Sequence, residues 1–305
     1  MKVAYLILAH DQPELFGRLI SALQYPGVSI YALIDGKKEQ LPFEQAAAEH
    51  AVHFVSDRVK VNWAGYSQVE AMLALLQAAT AAGGHDAYIF LSGRDYPIQS
   101  NEALFSHLQR HPGMSFMNFY QLSDGTDFVH LIKKYAFRDF YSRLPSDLLR
   151  KVVRYMVDAV NFILPPRKFV KGMLAYRGST SWCLSGAAAN YIVNFVKQPQ
   201  NKGFIRFFRM SSGADEIFFQ TILLNSALAP SCAGYQEPSM KDRSTLAVNE
   251  NKVSLHYIDW NPERENPAIL EQRDLAGILQ SGKFFARKMD GKRSAELLQS
   301  INSMR

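Results

Sequence analysis

An α/β fold with a mostly parallel central sheet is what this sequence predicts, on three observations. Short runs of β-branched and aromatic residues alternate with helical patterns over residues 3–118, and such alternation places crossover helices on both faces of a parallel sheet. Apolar types make up 48% of the residues and charged types 20%, the balance of a packed globular chain and not of a disordered, collagen-like or coiled-coil one. The 305 residues can fill one large domain, and no linker, repeat or low-complexity tract divides them. We therefore expect a single domain over residues 1–305 with an insertion at 131–177.

The elements follow in order. Strands are expected at Val3–Ala9, Val28–Ile34, Val52–Phe54, 88–91 and 114–118. A helix over 13–23 has Asp11 as its N-cap, and a helix over Tyr66–Ala82 opens on Ser67 with Glu70 three residues later, the spacing of a capping box. After the insertion come a strand at 178–184, helices at 187–196 and 215–228, a strand at 255–260, and helices at 274–280 and 294–301. None of the apolar runs reaches the ~20 residues that a membrane-spanning helix needs. Met1-Lys2 before the first run superficially resembles a secretion signal, but His10, Asp11 and Gln12 follow at once without a cleavage site. Cys183 and Cys232 are too few for a disulfide framework and read as buried thiols in a reducing compartment.

Charge is concentrated. The net charge is +6, yet residues 131–177 hold eleven basic side chains against three acids, a net of +8, so the remainder sums to −2. The basicity belongs to one segment and not to a nucleic-acid-binding body. Within it, pairs such as Leu148-Leu149, Val152-Val153 and Tyr155-Met156 recur at helical spacing beside positive residues. A basic amphipathic helix results. It can lie on an anionic membrane surface, where each cation contributes roughly 1 kcal/mol, or pack on the domain as a lid.

Parallel sheets bind ligands at the carboxyl ends of their strands. Three polar segments occupy those positions: His10-Asp11, Asp35-Gly36 and Ser92-Gly93-Arg94-Asp95. No glycine-rich phosphate loop is present, so any diphosphate must be held by side chains. Asp215 and Glu216 open a predicted helix and are by themselves either caps or acid–base groups. Arg287-Lys288 follows an aromatic pair and is by itself either an exposed basic turn or an anion site.

Six blocks, in order, resemble the core-2/I-branching β-1,6-N-acetylglucosaminyltransferase and peptide O-xylosyltransferase family, glycosyltransferase family 14. The first three are Tyr5-Leu6-Ile7-Leu8-Ala9-His10, Val61-Asn62-Trp63-Ala64-Gly65-Tyr66-Ser67 and Leu91-Ser92-Gly93-Arg94-Asp95-Tyr96-Pro97-Ile98. The others are Gly178-Ser179-Thr180-Ser181-Trp182, then Asp215-Glu216-Ile217-Phe218-Phe219-Gln220-Thr221 with Asn225-Ser226, and finally His256-Tyr257-Ile258-Asp259-Trp260 with Phe285-Ala286-Arg287-Lys288. Together they span almost the whole chain.

The resemblance implies a GT-A-type fold and an inverting glycosyl transfer from a UDP-sugar, of N-acetylglucosamine or xylose, without a metal or other cofactor. It places the catalytic base on Glu216, and on Arg287 and Lys288 the charges that offset the leaving diphosphate. Arg264 is the nearest match to a further donor-binding arginine, one residue out of register. The same pattern sets Asp35, Val61 and Trp63 around the uridine, with His10 at the pocket floor. Trp182, Asp95 and Asp215 are assigned to the acceptor side: Trp182 as an apolar face for a sugar ring, Asp95 as structure or a partner for hydroxyls. Metal-dependent folds of this type carry an Asp-x-Asp where this sequence has Gly93, and one carboxylate makes a poor divalent-cation site.

The sequence also departs from the family. These 305 residues show none of the signal anchor, stem and disulfides expected from its animal members, and Ala64 stands where glycine is usual. The expectation is a bacterial, cytoplasmic form, peripheral on the inner membrane through residues 131–177, whose acceptor is a glycan or a lipid-linked saccharide. Nucleic acid is not an expected partner. A non-catalytic sugar-nucleotide or glycan-binding component of a polysaccharide assembly complex stays open as the alternative.

Overall fold

The computed structural model describes residues 1–235 and 253–305. Its main sheet runs in the order β3 (Val52–Phe54), β2 (Val28–Ile34), β1 (Val3–Ala9), β4 (Ala87–Ser92) and β8 (Cys183–Ser185), where β8 alone is antiparallel to its neighbour. The mostly parallel α/β architecture predicted from the alternation is thus present. Side chains alternate faces along β1: Val3, Tyr5, Ile7 and Ala9 enter one core, Ala4 and Leu6 the other. The first core is closed by α1 (Pro13–Ala22), α4 (Asn101–Arg110) and α12 (Ala295–Met304), the second by α3 (Tyr66–Ala82), α8 (Gly186–Lys197), α9 (Lys202–Arg209) and α10 (Phe218–Leu224). Burial on both faces explains why these strands read as continuous apolar runs.

A second sheet sits at the carboxyl end of β4. There β10 (Phe285–Arg287) pairs antiparallel with β5 (Asp95–Pro97) and parallel with β9 (His256–Ile258). A short antiparallel pair, β6 (Tyr120–Gln121) and β7 (Tyr176–Arg177), frames the insertion.

Several expected elements are altered by distant partners. Residues 114–118 form no strand and make only isolated bridges, Ser115 to Cys232 and Phe116 to Cys183. The strand expected at 178–184 shrinks to β8, and the helix expected at 215–228 divides into a 3-10 turn at Ala214–Glu216 and α10. Asp11 does not cap α1, whose N-cap is Gln12, because Asp11 is paired with Arg94. The capping box on α3 is also absent. Gly65 is the N-cap, and Ser67 instead bonds Asp139, which accepts from Ser67 N at 2.9 Å and Ser67 Oγ at 2.5 Å.

The basic segment is several pieces rather than one helix. α5 (His130–Lys133) and α6 (Arg138–Tyr141) precede α7 (Asp147–Ile163), and an irregular stretch leads on to β7. α7 is the expected amphipathic helix, and no residue of it is buried. Cys183 and Cys232 are free and buried, as expected. Among the described residues no helix is long and apolar enough to cross a membrane.

Candidate active site

The three polar segments after β1, β2 and β4 lie side by side. Gly93 N donates to Leu8 O at 2.9 Å and Asp35 N to Ala9 O at 2.8 Å. Register then brings in the far end of the chain, since the β5–β10 pairing sets Arg287 opposite Asp95. Arg287 Nη1 donates to Asp95 Oδ1 at 3.0 Å and to Ser92 Oγ, while Asp95 Oδ2 accepts from Ser92 N at 2.8 Å. Burial by itself would raise the Asp95 carboxyl, but Arg287 and the neighbouring His256 outweigh it and hold it down at about 2. This carboxylate stays charged and fixes the guanidinium. With only 1% of its side chain exposed and both oxygens engaged, Asp95 supports Arg287 and does not offer itself to an acceptor hydroxyl, so of its two sequence-based readings the structural one fits.

Two more cations share this end of the sheet. Arg94 donates to Asp11 Oδ2 at 2.6 Å and lies 3.5 Å from Asp290, which also accepts from Gln12 Nε2 at 2.6 Å. Lys288 is half-buried, and burial together with repulsion from Arg94 and Arg287 lowers its pKa. Burial pushes the Asp11 carboxyl up, but its bond to Arg94 together with the charges of His10, Arg94 and Lys288 outweighs this and lowers it. Three cations are therefore held beside Asp11, Asp95 and Asp290. Arg94 is occupied by its two aspartates, while among the described residues Arg287 bonds only through Nη1 and Lys288 has no side-chain partner, which leaves donors for an anion such as a diphosphate where no glycine-rich loop is available. Sequence reasoning missed the roles of Arg94, Asp11 and Asp290; the signal for the first was an arginine inside a polar strand end.

Arg264 differs from expectation. Its Nη1 donates to Asp259 at 2.6 Å and Asp274 at 2.9 Å, and its Nη2 to Ile269 O at 2.7 Å. Two carboxylates and a carbonyl saturate it, so it clamps the 259–274 segment and is not a free cation for a donor.

The expected nucleotide wall is assembled in part by one carboxylate. Asp35 Oδ1 accepts from Lys37 N at 2.9 Å and Val61 N at 3.1 Å, which joins Asp35 to Val61. His10 is exposed beside them at the end of β1, 3.6 Å from Asp11. Trp63 is 80% exposed, and the Arg138 guanidinium stands 5.3 Å from its ring centroid. The loop carrying Trp63 is fixed from the insertion, because Asn62 Nδ2 donates to Asp139 Oδ1 at 2.9 Å. A Cβ at Gly65 would collide with the Asp139 carboxylate, which explains glycine there. Ala64 adopts a left-handed φ of 57°, a conformation that favours glycine.

The same loop leads to the carboxylate pair, for Gly213 N donates to Ala64 O at 3.0 Å. Glu216 ends the 3-10 turn. Its Oε2 accepts from Arg177 Nη2 at 2.6 Å, its side chain is 32% exposed, and its other oxygen has no hydrogen-bond partner among the described residues. Arg177 also donates to Tyr120 Oη at 3.0 Å and stacks 3.8 Å from the Phe128 centroid. Burial disfavours its charge, yet Glu216 and Tyr120 more than compensate and raise its pKa. Backbone position is set by Gly178, whose N donates to Glu216 O at 2.8 Å and whose missing Cβ leaves room for Asn118 O. Asp215 is buried with Oδ1 unpartnered among the described residues, and burial plus the Glu216 charge push it up to about 7. In the sequence Arg177 is one more member of the basic run, and nothing local marks its pairing with Glu216.

Trp182 is corrected. It has no exposed surface and its ring lies between Phe90 and Phe219, each with its centroid 5.3 Å away. Both faces are occupied by core aromatics, so no sugar can stack on it. A cavity of about 780 Å³, lined by Lys2, Tyr31, His53 and His85 among others, opens near the amino ends of β1, β2 and β4 and contains none of the residues above.

Comparison with known proteins agrees with the sequence blocks. The profile described as Core-2/I-Branching enzyme matches residues 3–279. Xylosyltransferase 2 of Mus musculus is 24% identical over 99% of this chain and 33% of its own length, and xylosyltransferase 1 of Mus musculus is 23% identical over 99% and 30%. The chain thus spans about a third of the length of the curated relatives it matches. Among solved structures, mouse xyloside xylosyltransferase 1 in its apo form is similar at a TM-score of 0.35 and 11% identity, covering 75% of this chain and 83% of that one. With the profile extending from the first strand to residue 279, this chain belongs to the Core-2/I-Branching enzyme family.

Proposed function

We propose that the chain is an inverting glycosyltransferase of GT-A type that moves a sugar from a UDP-sugar to a hydroxyl of a glycan or lipid-linked saccharide, without a metal. The observation that carries this reading is the pair Arg287 and Lys288 at the strand carboxyl ends, with Arg287 anchored by buried Asp95 and Arg94 bracing the same end through Asp11 and Asp290. The unpartnered oxygen of Glu216 takes the proton of the acceptor hydroxyl as that oxygen bonds to the anomeric carbon. The bond from that carbon to the diphosphate breaks on the opposite side, and its electron pair leaves on a phosphate oxygen facing the cations. An α-linked donor gives a β-linked product. Arg177 orients Glu216, Asp35 and Val61 face the uridine, and Trp63 offers an exposed ring beside them. Asp95 supports metal independence, because the carboxylate a cation would have to use at this strand end is already bonded to Arg287 and Ser92.

The names of the relatives make xylose the first donor to try and N-acetylglucosamine the second. Purified protein is incubated with UDP-xylose, UDP-N-acetylglucosamine and other UDP-sugars, and UDP release is followed with and without EDTA. One donor hydrolysed slowly in EDTA supports the reading. No hydrolysis of any donor with UDP still bound favours a binding component, and loss of activity in EDTA restores a cation-dependent mechanism.

A further inference from the structure

We infer that α7 is a docking element for an anionic lipid surface. Only one edge of the helix is half-buried: Val153 and Val157, one turn apart, line a cleft shared with Phe137 and Phe140, and Asn161 bonds the backbone of Tyr135 at 2.7 and 2.8 Å. The rest of a wide apolar arc is in solvent. Leu148, Val152, Tyr155 and Phe162 recur at helical spacing along it, with Leu148 at 71%, Phe162 at 91% and Ile163 at 77% exposure. A continuous exposed patch of this kind marks an interaction surface.

Charge identifies the occupant. Lys151 and Arg154 lie on the polar flank of the helix and have no ion-pair partner among the described residues; Lys168 and Lys171 are exposed just beyond it. Of the two acids on α7, Asp147 is already paired with Arg150 at 2.9 Å. A second copy of the chain would bring these cations against themselves across a two-fold interface, where like charges repel. An anionic bilayer meets both requirements at once, since it accepts the apolar arc among its acyl chains and the flanking cations at its headgroups. The helix is also anchored near the candidate site. In the adjoining α6, Arg138 Nε donates to Ser212 Oγ at 3.2 Å and Asp139 holds Ser67. Docking therefore presents the site to molecules carried by the membrane, and it does not depend on the transfer chemistry being correct.

The test is co-sedimentation of the full chain with vesicles of phosphatidylcholine alone and of phosphatidylcholine containing about one third phosphatidylglycerol, at low and high salt. At least tenfold tighter binding to the anionic vesicles, weakened by salt, is expected. The variant L148S/F162S/I163S should lose that binding, and K151E/R154E should lose the preference for anionic lipid. All five positions are exposed, so circular dichroism should match the parent, and the salt dependence of the parent needs no variant. Glu216→Gln should sediment like the parent, which separates docking from catalysis. Equal binding to both vesicle types, or anionic binding untouched by the substitutions, overturns the proposal. So does a dimer in light scattering that the triple substitution dissolves in a protein that binds no vesicles, because the arc is then covered by a second copy.

Discussion

The two halves of the candidate site handle charge in opposite ways. At the strand ends, Arg94, Arg287 and Lys288 are each near an aspartate, and buried Asp95 stays ionised at about 2 because a guanidinium faces it. At the 3-10 turn, two adjacent carboxylates share Arg177, and the buried one, Asp215, rises to about 7. The first half is preorganised to receive negative charge. The second has two carboxylates to one guanidinium, and burial keeps the inner one, Asp215, protonated up to about 7. This division of labour is the physical content of the functional proposal, and it can be broken at either end.

The largest effect is expected at Glu216. Glu216→Gln keeps the bond to Arg177 but cannot take a proton, and transfer should fall by about 10²- to 10⁴-fold while UDP still stabilises the fold in thermal unfolding. Turnover within a few fold of the parent would dissolve the contrast between the halves. At the other end, Arg287→Ala should lower turnover by about 10²- to 10³-fold. It also strands Asp95 in the interior, so stability should drop by about 3–5 kcal/mol in urea unfolding. The double change that adds Asp95→Asn should recover stability without recovering turnover, which tells the supporting role of Asp95 from a chemical one.

Asp215 gives a pH signature that the cation half lacks. It keeps its proton up to about 7 in the fold, against the ordinary value of 3.8 when unfolded. Between those values the native state binds more protons than the unfolded one, so stability decreases as pH rises, by at most about 1.4 kcal/mol per unit. Asp215→Asn cannot ionise and should remove that slope. Unfolding in urea near pH 4 and near pH 7 decides it, and an unchanged slope would show that Asp215 ionises normally. The smallest effect is expected at the link between the halves. Asp139→Ala frees the start of α3 and should cost about 1–2 kcal/mol, as loss of a cap does. It should also raise the KM for the donor more than it lowers kcat, by loosening the loop of Val61 and Trp63.

What the sequence revealed and what it hid divide along the same physical line. The parallel strands were legible because burial on both faces writes itself as β-branched runs, as in Val3–Ala9 and Val28–Ile34. Local rules failed where a partner from far along the chain took over. Ser67 has the spacing of a capping box, yet Asp139, 72 positions away, claims its hydroxyl. The run at 114–118 looks like a strand, but its bridges go to Cys183 and Cys232. Glu216, Arg287 and Lys288 were reached through motif blocks. Arg177 was not, because it sits in a basic stretch and its carboxylate lies 39 positions downstream. Trp182 and Arg264 were misassigned for a related reason: a residue type suited to ligands is equally suited to a core or to a clamp, and only the neighbours decide.

The pairing of β10 with β5 has a temporal consequence. Arg287 meets Asp95 across 192 positions and Arg94 approaches Asp290 across 196. A nascent chain can collapse β1, β2 and β4 early, yet the cation cluster at the strand ends is completed only after the last strand emerges, since contacts this remote form late. A ribosome-bound or truncated product would therefore hold much of the architecture and the Arg94–Asp11 pair, but not the two C-terminal cations Arg287 and Lys288.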